Sequence, residues 1–240
     1  MKLKYLKENR KFRKEFPDVL LPPDYLIYES YMINYRSYYE DGLRNSQKLK
    51  SELQKHTDFK GKRILDWGCG PARIIRHFPG LVGEAEFYAT DYNKKTIAWN
   101  TEHIKDVRFS VNGTNPPTDY DNDFFDIIYG LSVFTHLSEA NHYNWVEELH
   151  RIAKTGAVVY LTTHGHIFRQ RLTKGNQQRF DEHQLVMEGN TKEGHRTYAA
   201  FHPEVFMRNI FQGKFEVLQH IPGKQEVWGL SQDKWIIKKI

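Results

Sequence analysis

The residue types with most chemical potential in this sequence sit in one short run and one later position. In Arg63-Ile64-Leu65-Asp66-Trp67-Gly68-Cys69-Gly70-Pro71-Ala72-Arg73 a β-favouring stretch ends in an acid, and two glycines follow two apart. Glycines without Cβ atoms let the backbone turn sharply and come close to a ligand. Pro71 suits a first helical position, so the pattern predicts a strand, a tight turn and a helix over Ala72–Phe78 aimed at a site. A second β-favouring run, Glu86-Phe87-Tyr88-Ala89-Thr90-Asp91-Tyr92, ends in Asp91. A carboxylate there, about twenty residues beyond a glycine turn, can accept from both hydroxyls of a ribose.

A dinucleotide fingerprint needs a third glycine three residues after the second, where this chain has Arg73. Asp-x-Gly-x-Gly followed by Asp91 instead resembles the first two motifs of the class I S-adenosylmethionine-dependent methyltransferases, over most of the chain. Ala72 stands at that family's third glycine. The resemblance implies S-adenosylmethionine as cofactor and S-adenosylhomocysteine as product. On it, the expected cofactor-binding residues are Asp66, Gly68, Cys69, Gly70, Arg73, Asp91, Tyr92, Asn112, Gly113, Gly130 and Leu131. Asn112 or the backbone near Gly113 stands where the family often places an acid for the adenine. Cys69 reads as a packing residue rather than a nucleophile, since nothing near it in sequence forms a Cys/His pair.

Two loops at predicted carboxyl ends of strands carry candidate bases. Phe124-Phe125-Asp126-Ile127-Ile128-Tyr129 empties into Gly130–Leu137 with His136, and the strand Ala157–Thr163 ends in His164-Gly165-His166. Ligands in open parallel sheets bind beyond those ends. Histidine titrates near neutral pH and suits removal of a hydroxyl proton. His136 and His164 are the candidate catalytic residues, His136 first because it follows the central strand. No cluster has credible metal spacing, because His164-x-His166 has no third ligand nearby.

The elements positioning these residues read as one α/β domain of 240 residues. Residues 1–60 are an N-terminal helical cap, 61–165 a cofactor-binding core, 166–200 a substrate-shaping insertion and 201–240 a closing helix and strands. The cap contains a tyrosine-rich helix from Asp24 to about Tyr39 and another from about Leu43 to Lys55. In the family this segment often folds over the cofactor as a lid, with Tyr39 and Gly42 as candidates here. Strands end at Asp91 and Val111, with a helix over Lys94–His103 between them. Ser138 caps a helix whose face carries Tyr143, Val146, Leu149, Ile152 and Ala153, and Gly156 ends it. The resemblance implies a Rossmann-like doubly wound seven-stranded sheet of order 3-2-1-4-5-7-6, its last strand antiparallel.

A net charge of +5 is modest and owes much to Lys2–Lys14. That basic arm reads as a solvated helix, with peripheral contact to an anionic membrane as an option, and nucleic acid is not an expected partner. No apolar run reaches membrane-spanning length, no secretory leader is visible and one cysteine makes no internal disulfide, so a soluble cytoplasmic protein is expected. A subgroup resemblance, in Ser132–Leu137, Thr163-His164-Gly165 and Gln232-Asp233, is to methyltransferases of sugar and glycan biosynthesis. It implies O-methylation of a small-molecule or glycan hydroxyl. N- or C-methylation of another metabolite, a dinucleotide-dependent oxidoreductase and a cofactor-free binding module are the other readings, and the oligomeric state is not legible.

Overall fold

The computed structural model describes residues 2–189 and 191–240. The chain divides into two compact units, Met1–Val111 and Asn112–Ile240.

The first unit begins with helices α1 (Leu6–Glu15) and α2 (Asp24–Ser30), a π-helical turn (Ser37–Asp41) and α3 (Gly42–Leu53). Strand β1 (Lys62–Trp67), a 3-10 turn (Ile75–His77), α4 (Phe78–Val82), β2 (Ala85–Asp91), α5 (Lys94–His103) and β3 (Arg108–Val111) follow. β1 and β2 run parallel, with Asp66 beside Ala89, and β2 pairs in parallel with β3. Four successive β1 residues, Ile64 to Trp67, are buried, as expected for a strand covered on both faces. Asn93 caps α5 by accepting from the amides of Lys95 and Thr96.

Two expected helices take other forms. The stretch from Asp24 to Tyr39 is broken at Tyr31, whose extended backbone (φ −151°, ψ −171°) ends α2. Its tyrosines divide accordingly: Tyr35 and Tyr38 join Phe12, Ile27 and Ile33 in a buried cluster, while Tyr25 and Tyr28 face water. Nor is Ala72–Phe78 one helix, because Ala72 adopts φ +56°. A left-handed residue interrupts right-handed helical backbone, so the chain passes through a turn and the 3-10 segment before α4 begins.

The second unit contains β4 (Phe125–Gly130), a 3-10 turn (Phe134–His136), α6 (Glu139–Ile152) and β5 (Ala153–Thr163). After a 3-10 segment (His166–Arg171) come α7 (Lys174–Asp181), β6 (Val186–Glu188) and β7 (Ala199–Phe201). The chain closes with α8 (Glu204–Phe211), β8 (Phe215–Ile221), the short strands β9 (Gln225–Glu226) and β10 (Gly229–Leu230), and β11 (Asp233–Lys239). β4 and β5 are parallel, and β11 runs antiparallel to both β5 and β8. The order of strands in the sheet is β3-β2-β1-β4-β5-β11-β8, the expected 3-2-1-4-5-7-6 with the last strand in sequence antiparallel.

Ser138 caps α6 through the amide of Asn141, as its sequence position predicts. The buried face differs: Trp145, Val146, Leu149 and Ile152 are inside, while Tyr143 is 49% exposed. Gly156 does not end the helix either. α6 stops at Ile152 and β5 starts at once, with Gly156 inside the strand at φ +79°. Phe168, Leu172, Phe180 and Val186 of the predicted insertion pack in one buried cluster with Phe201 of the predicted closing segment. Burying each such side chain contributes about 1.5–3 kcal/mol. Among the described residues, no helix is long and apolar enough to cross a membrane.

Candidate active site

In the first unit the expected ligand residues converge on the turn after β1. Gly68 and Gly70 both have positive φ, at 76° and 49°, so this backbone needs glycine there. The amides of Gly68 and Cys69 donate to the Thr90 carbonyl at 2.8 and 3.0 Å, fastening the turn to the end of β2. Asp91 completes the junction: its Oδ2 accepts from the Gly70 amide at 2.9 Å and its Oδ1 from the Asn93 amide at 2.8 Å. Burial pushes this carboxyl up from its ordinary value, and the two backbone donors pull it back. Each carboxylate oxygen has two lone pairs, so one on each remains for hydroxyl donors.

Asp66, on β1 two residues before Gly68, is buried. Cys69 is buried as well, and burial raises its thiol well above the ordinary range, so it is a packing residue. Asn100 donates to the Gly70 carbonyl at 2.9 Å and holds the turn from α5, a contact the sequence did not advertise. Tyr92, next to Asp91, is 45% exposed.

The N-terminal cap closes on the same turn. Tyr38 donates its hydroxyl hydrogen to the Pro71 carbonyl, and the Ser46 hydroxyl reaches the Ile74 carbonyl at 2.9 Å. A Cβ on Gly42 would lie 2.5 Å from the Arg73 carbonyl oxygen and 3.2 Å from His77 Nε2, so only glycine allows this approach. The Tyr39 and His77 rings meet edge to face at 5.0 Å. Arg73 places its guanidinium 4.5 Å from the Tyr31 ring centre. Neither Arg73 nor Tyr31 was distinguished by more than its position in the sequence pattern.

At the opposite, amino-terminal end of β1 lies a surface groove of about 600 Å³, lined by Lys50, Asp58, Phe59, Val82 and Glu84. Ligands of open α/β sheets bind at the carboxyl ends, so this groove is not the candidate site.

In the second unit His136 and His164 both stand just past strand ends. The His136 Nδ1 faces the Tyr198 carbonyl at 2.7 Å, and the His164 Nδ1 faces the Ala200 carbonyl at 3.1 Å. A carbonyl only accepts, so each Nδ1 carries the hydrogen and each neutral ring keeps its lone pair on Nε2. Burial depresses both, His164 to about 4. The two residues that fix these tautomers flank the start of β7, a role with no signature in sequence. His166 turns outward and is exposed.

Gly130 is the last residue of β4, beside Leu161. Leu131 leads into Ser132, whose positive φ of 63° and bonds to Thr162 and Gln232 shape the loop before His136. Gly113 fits a tight turn, since a Cβ there would lie 2.8 Å from the Asn115 carbonyl oxygen, and the Asn112 side chain donates to the Gly113 carbonyl at 2.6 Å. Asp233 faces His220 and the Gly223 amide, both at 2.8 Å, and occupies the space a Cβ on Gly165 would need. Among the described residues, no group of three or more His, Cys, Asp or Glu side chains is placed to hold a metal ion.

Comparison with known proteins agrees with this geometry. Residues 64–156 match the family model described as a methyltransferase domain. An S-adenosylmethionine-dependent methyltransferase from Methanosarcina mazei is 17% identical, with 78% of this chain and 96% of that one covered at a TM-score of 0.58. One from Aquifex aeolicus is 18% identical, covering 82% and 98% at 0.53. The magnesium protoporphyrin IX methyltransferase of Synechocystis, solved with S-adenosylhomocysteine bound, is 11% identical and covers 98% and 96% at 0.60. The fold is that of the class I S-adenosylmethionine-dependent methyltransferases. The methyltransferase-domain match falls on the strands and turns that carry the candidate cofactor site, and the structures named for S-adenosylmethionine share the fold around it.

Proposed function

We propose that the protein transfers a methyl group to a hydroxyl of a small-molecule or glycan acceptor, a sugar O-methyltransferase being the form the sequence favours. The observation that carries this reading is the pair of tautomer-fixed histidines. Nε2 of His136 and of His164 is a neutral acceptor, and each lies beyond the carboxyl end of its strand. A neutral acceptor suits a hydroxyl, which donates one hydrogen bond and must lose that proton when its oxygen is methylated. His136 is the base in this reading. His164, depressed to about 4, is too weak a base to hold the proton near neutral pH and serves to orient the hydroxyl.

S-adenosylmethionine supplies a methyl group already activated by a sulfonium, so the protein's share of the work is alignment and proton removal. Asp91 offers its two remaining lone pairs to the ribose hydroxyls, and the turn from Gly68 to Gly70 lets the backbone come close. Tyr92 is proposed for the adenine side in the first unit, and the resemblance assigns Asn112, Gly113, Gly130 and Leu131 of the second unit to the cofactor as well. Asp66 and Arg73 are proposed for the amino-acid side.

The test is methyl transfer from labelled S-adenosylmethionine to a panel of free sugars, nucleotide-linked sugars, amines and phenols, with the product's methylated atom assigned by NMR. An O-methyl product whose formation slows by roughly 100-fold in His136→Gln supports the reading, the usual worth of a general base. A product methylated on nitrogen or carbon overturns the hydroxyl assignment, and a wild-type rate in His136→Gln removes that residue as the base.

A further inference from the structure

We infer that the acceptor carries an anionic group, a phosphate or a carboxylate, which docks at the turn over His136, with Arg171 drawing it in from the His164 side. The inference rests on the reading of these two histidines as the acceptor end of the site, and adds the charge of the molecule they receive. It starts from a turn pinned twice to one residue. The Gly194 amide donates to the His136 carbonyl at 2.8 Å, and the Tyr198 carbonyl meets His136 Nδ1 at 2.7 Å. Between these two points the Tyr198 amide closes a turn on the His195 carbonyl at 2.8 Å, so Arg196 and Thr197 form its corner beside His136. His195 and Arg196 are both exposed, and both act on His136 against its gaining a positive charge.

The turn and its surroundings offer donors where the paired histidines offer acceptors. The Thr197 amide donates back to His195 Nδ1 at 3.3 Å, so a neutral His195 carries its hydrogen on Nε2, the reverse of His136 and His164. On the other side Arg171 holds its guanidinium carbon 5.0 Å from the Phe168 ring centre, and Phe168 stacks on the His164 ring at 4.3 Å. This stack fixes where the cation sits, and its charge reaches His164. Among the described residues no carboxylate pairs with Arg171, whereas Arg169 is taken by Asp181. Glu193, the acid next to the turn, is committed elsewhere: its Oε1 accepts from the Ser138 amide at 2.6 Å and from Asn141 at 2.8 Å. Two guanidiniums and an imidazole N–H therefore flank two neutral ring nitrogens. A neutral sugar gains little from that charge, while a phosphate or carboxylate gains charge-assisted bonds from each guanidinium.

The experiment titrates the full chain with inorganic phosphate and, separately, with acetate, at constant ionic strength in chloride, and follows the NMR signals of the histidine rings. Saturable shifts at His136 and His195 are expected, with a dissociation constant on the order of 1–10 mM for phosphate. Tighter phosphate points to a phosphorylated acceptor, and tighter acetate to a sugar acid. Arg171→Gln and Arg196→Gln, both at exposed positions, should each weaken this binding by roughly 3- to 10-fold. The bound anion should also raise the titration midpoint of His136, an effect that loosening of the turn alone gives no reason to expect in step with phosphate occupancy. Methyl transfer to matched neutral sugars, sugar phosphates and uronic acids is the second readout, with the anionic members preferred. Absence of saturable shifts in wild type overturns the inference, as do shifts undiminished in both variants or methyl transfer confined to the neutral sugars. Where no sugar is methylated, it is the sugar hydroxyl reading that fails, and the titration alone decides the charge of the site.

Discussion

Asp91 and Gly70, 21 residues apart in the chain, are joined by a 2.9 Å hydrogen bond from the Gly70 amide to Asp91 Oδ2. One carboxylate therefore shapes the glycine turn as well as offering acceptors to a ligand. Asp91→Ala would leave the Gly70 and Asn93 amides unpaired as well as deleting the acceptors, mixing the two roles. Asp91→Asn separates them better. Its amide oxygen can keep the Asn93 contact, while its NH2 faces the Gly70 N–H and can no longer accept from it. The expected cost is about 1–3 kcal/mol of stability, with S-adenosylhomocysteine bound roughly 10-fold or more weakly. Thermal unfolding and calorimetry on the same sample check both, and unchanged affinity would show that the ribose is held elsewhere.

Gly42→Ala is expected to loosen the cap from the glycine turn. The added methyl carbon would sit 2.5 Å from a backbone oxygen of Arg73, and backbone atoms cannot swing aside as a long side chain would. Overpacking of this kind costs about 1–3 kcal/mol. Hydrogen exchange should speed up at Tyr38, Ser46 and Ile74, whose bonds span the same contact. A variant as stable and as protected as wild type would show that the contact is dispensable.

The parts of this fold that were legible in the sequence are those written in local pattern. The acid, the two glycines and Asp91 needed only spacing, and α5 matched its predicted bounds because Asn93 supplies a cap and Ile104 a non-helical stop. Where the sequence misled, a tertiary contact overrode local preference. Pro71 is a good first helical residue, yet Ala72 is forced to φ +56° beneath a turn tied to Thr90, and the helix starts later. Tyr143 has helical spacing with Val146 but turns to water, while Trp145 goes inside and donates to the Thr114 carbonyl at 2.8 Å. The tautomers of His136 and His164 depend on carbonyls 62 and 36 residues away, beyond the reach of any local pattern.

Glu148 anchors the segment that follows β3. Its Oε1 accepts from the amide and hydroxyl of Thr118 at 2.7 and 2.6 Å, and both oxygens pair with Arg151. Although burial alone would raise it, the Arg151 and Thr118 donors hold this carboxyl below its ordinary value. Glu148→Ala strands a buried amide and leaves Arg151 without its carboxylate, at an expected cost of about 2–4 kcal/mol. Urea unfolding near pH 7 should show that loss, and the difference from wild type should shrink as pH falls below 4.5, where the unfolded carboxyl is protonated. A difference that is independent of pH would mean that Glu148 acts through packing alone.

A buried histidine pair makes stability depend on pH in a window above that of the carboxylate. His142 Nε2 and His202 Nε2 are 2.9 Å apart, and both residues are buried. The His142 Nδ1 faces the Ser138 carbonyl at 2.8 Å and must carry a hydrogen, so its Nε2 accepts and His202 donates. A second proton on His142 would set two N–H groups against each other. Burial depresses His142 and His164 to about 4 and His202 well below its ordinary 6.5, with His142 and His164 adding to the effect on His202 and Glu193 opposing it on His142. Folded values below the unfolded one mean that the unfolded chain binds more protons. Stability from these groups is therefore complete above pH 6.5 and is lost as pH falls toward 4. Each fully mismatched histidine contributes a slope of about 1.4 kcal/mol per pH unit. Urea midpoints should be level above about pH 7 and drop steeply below 6.5. In His202→Gln, whose amide can still donate to His142, the protein should be less stable at neutral pH but lose less on acidification. Parallel pH curves for the two proteins would show that His202 is not one of the groups taking up protons on unfolding.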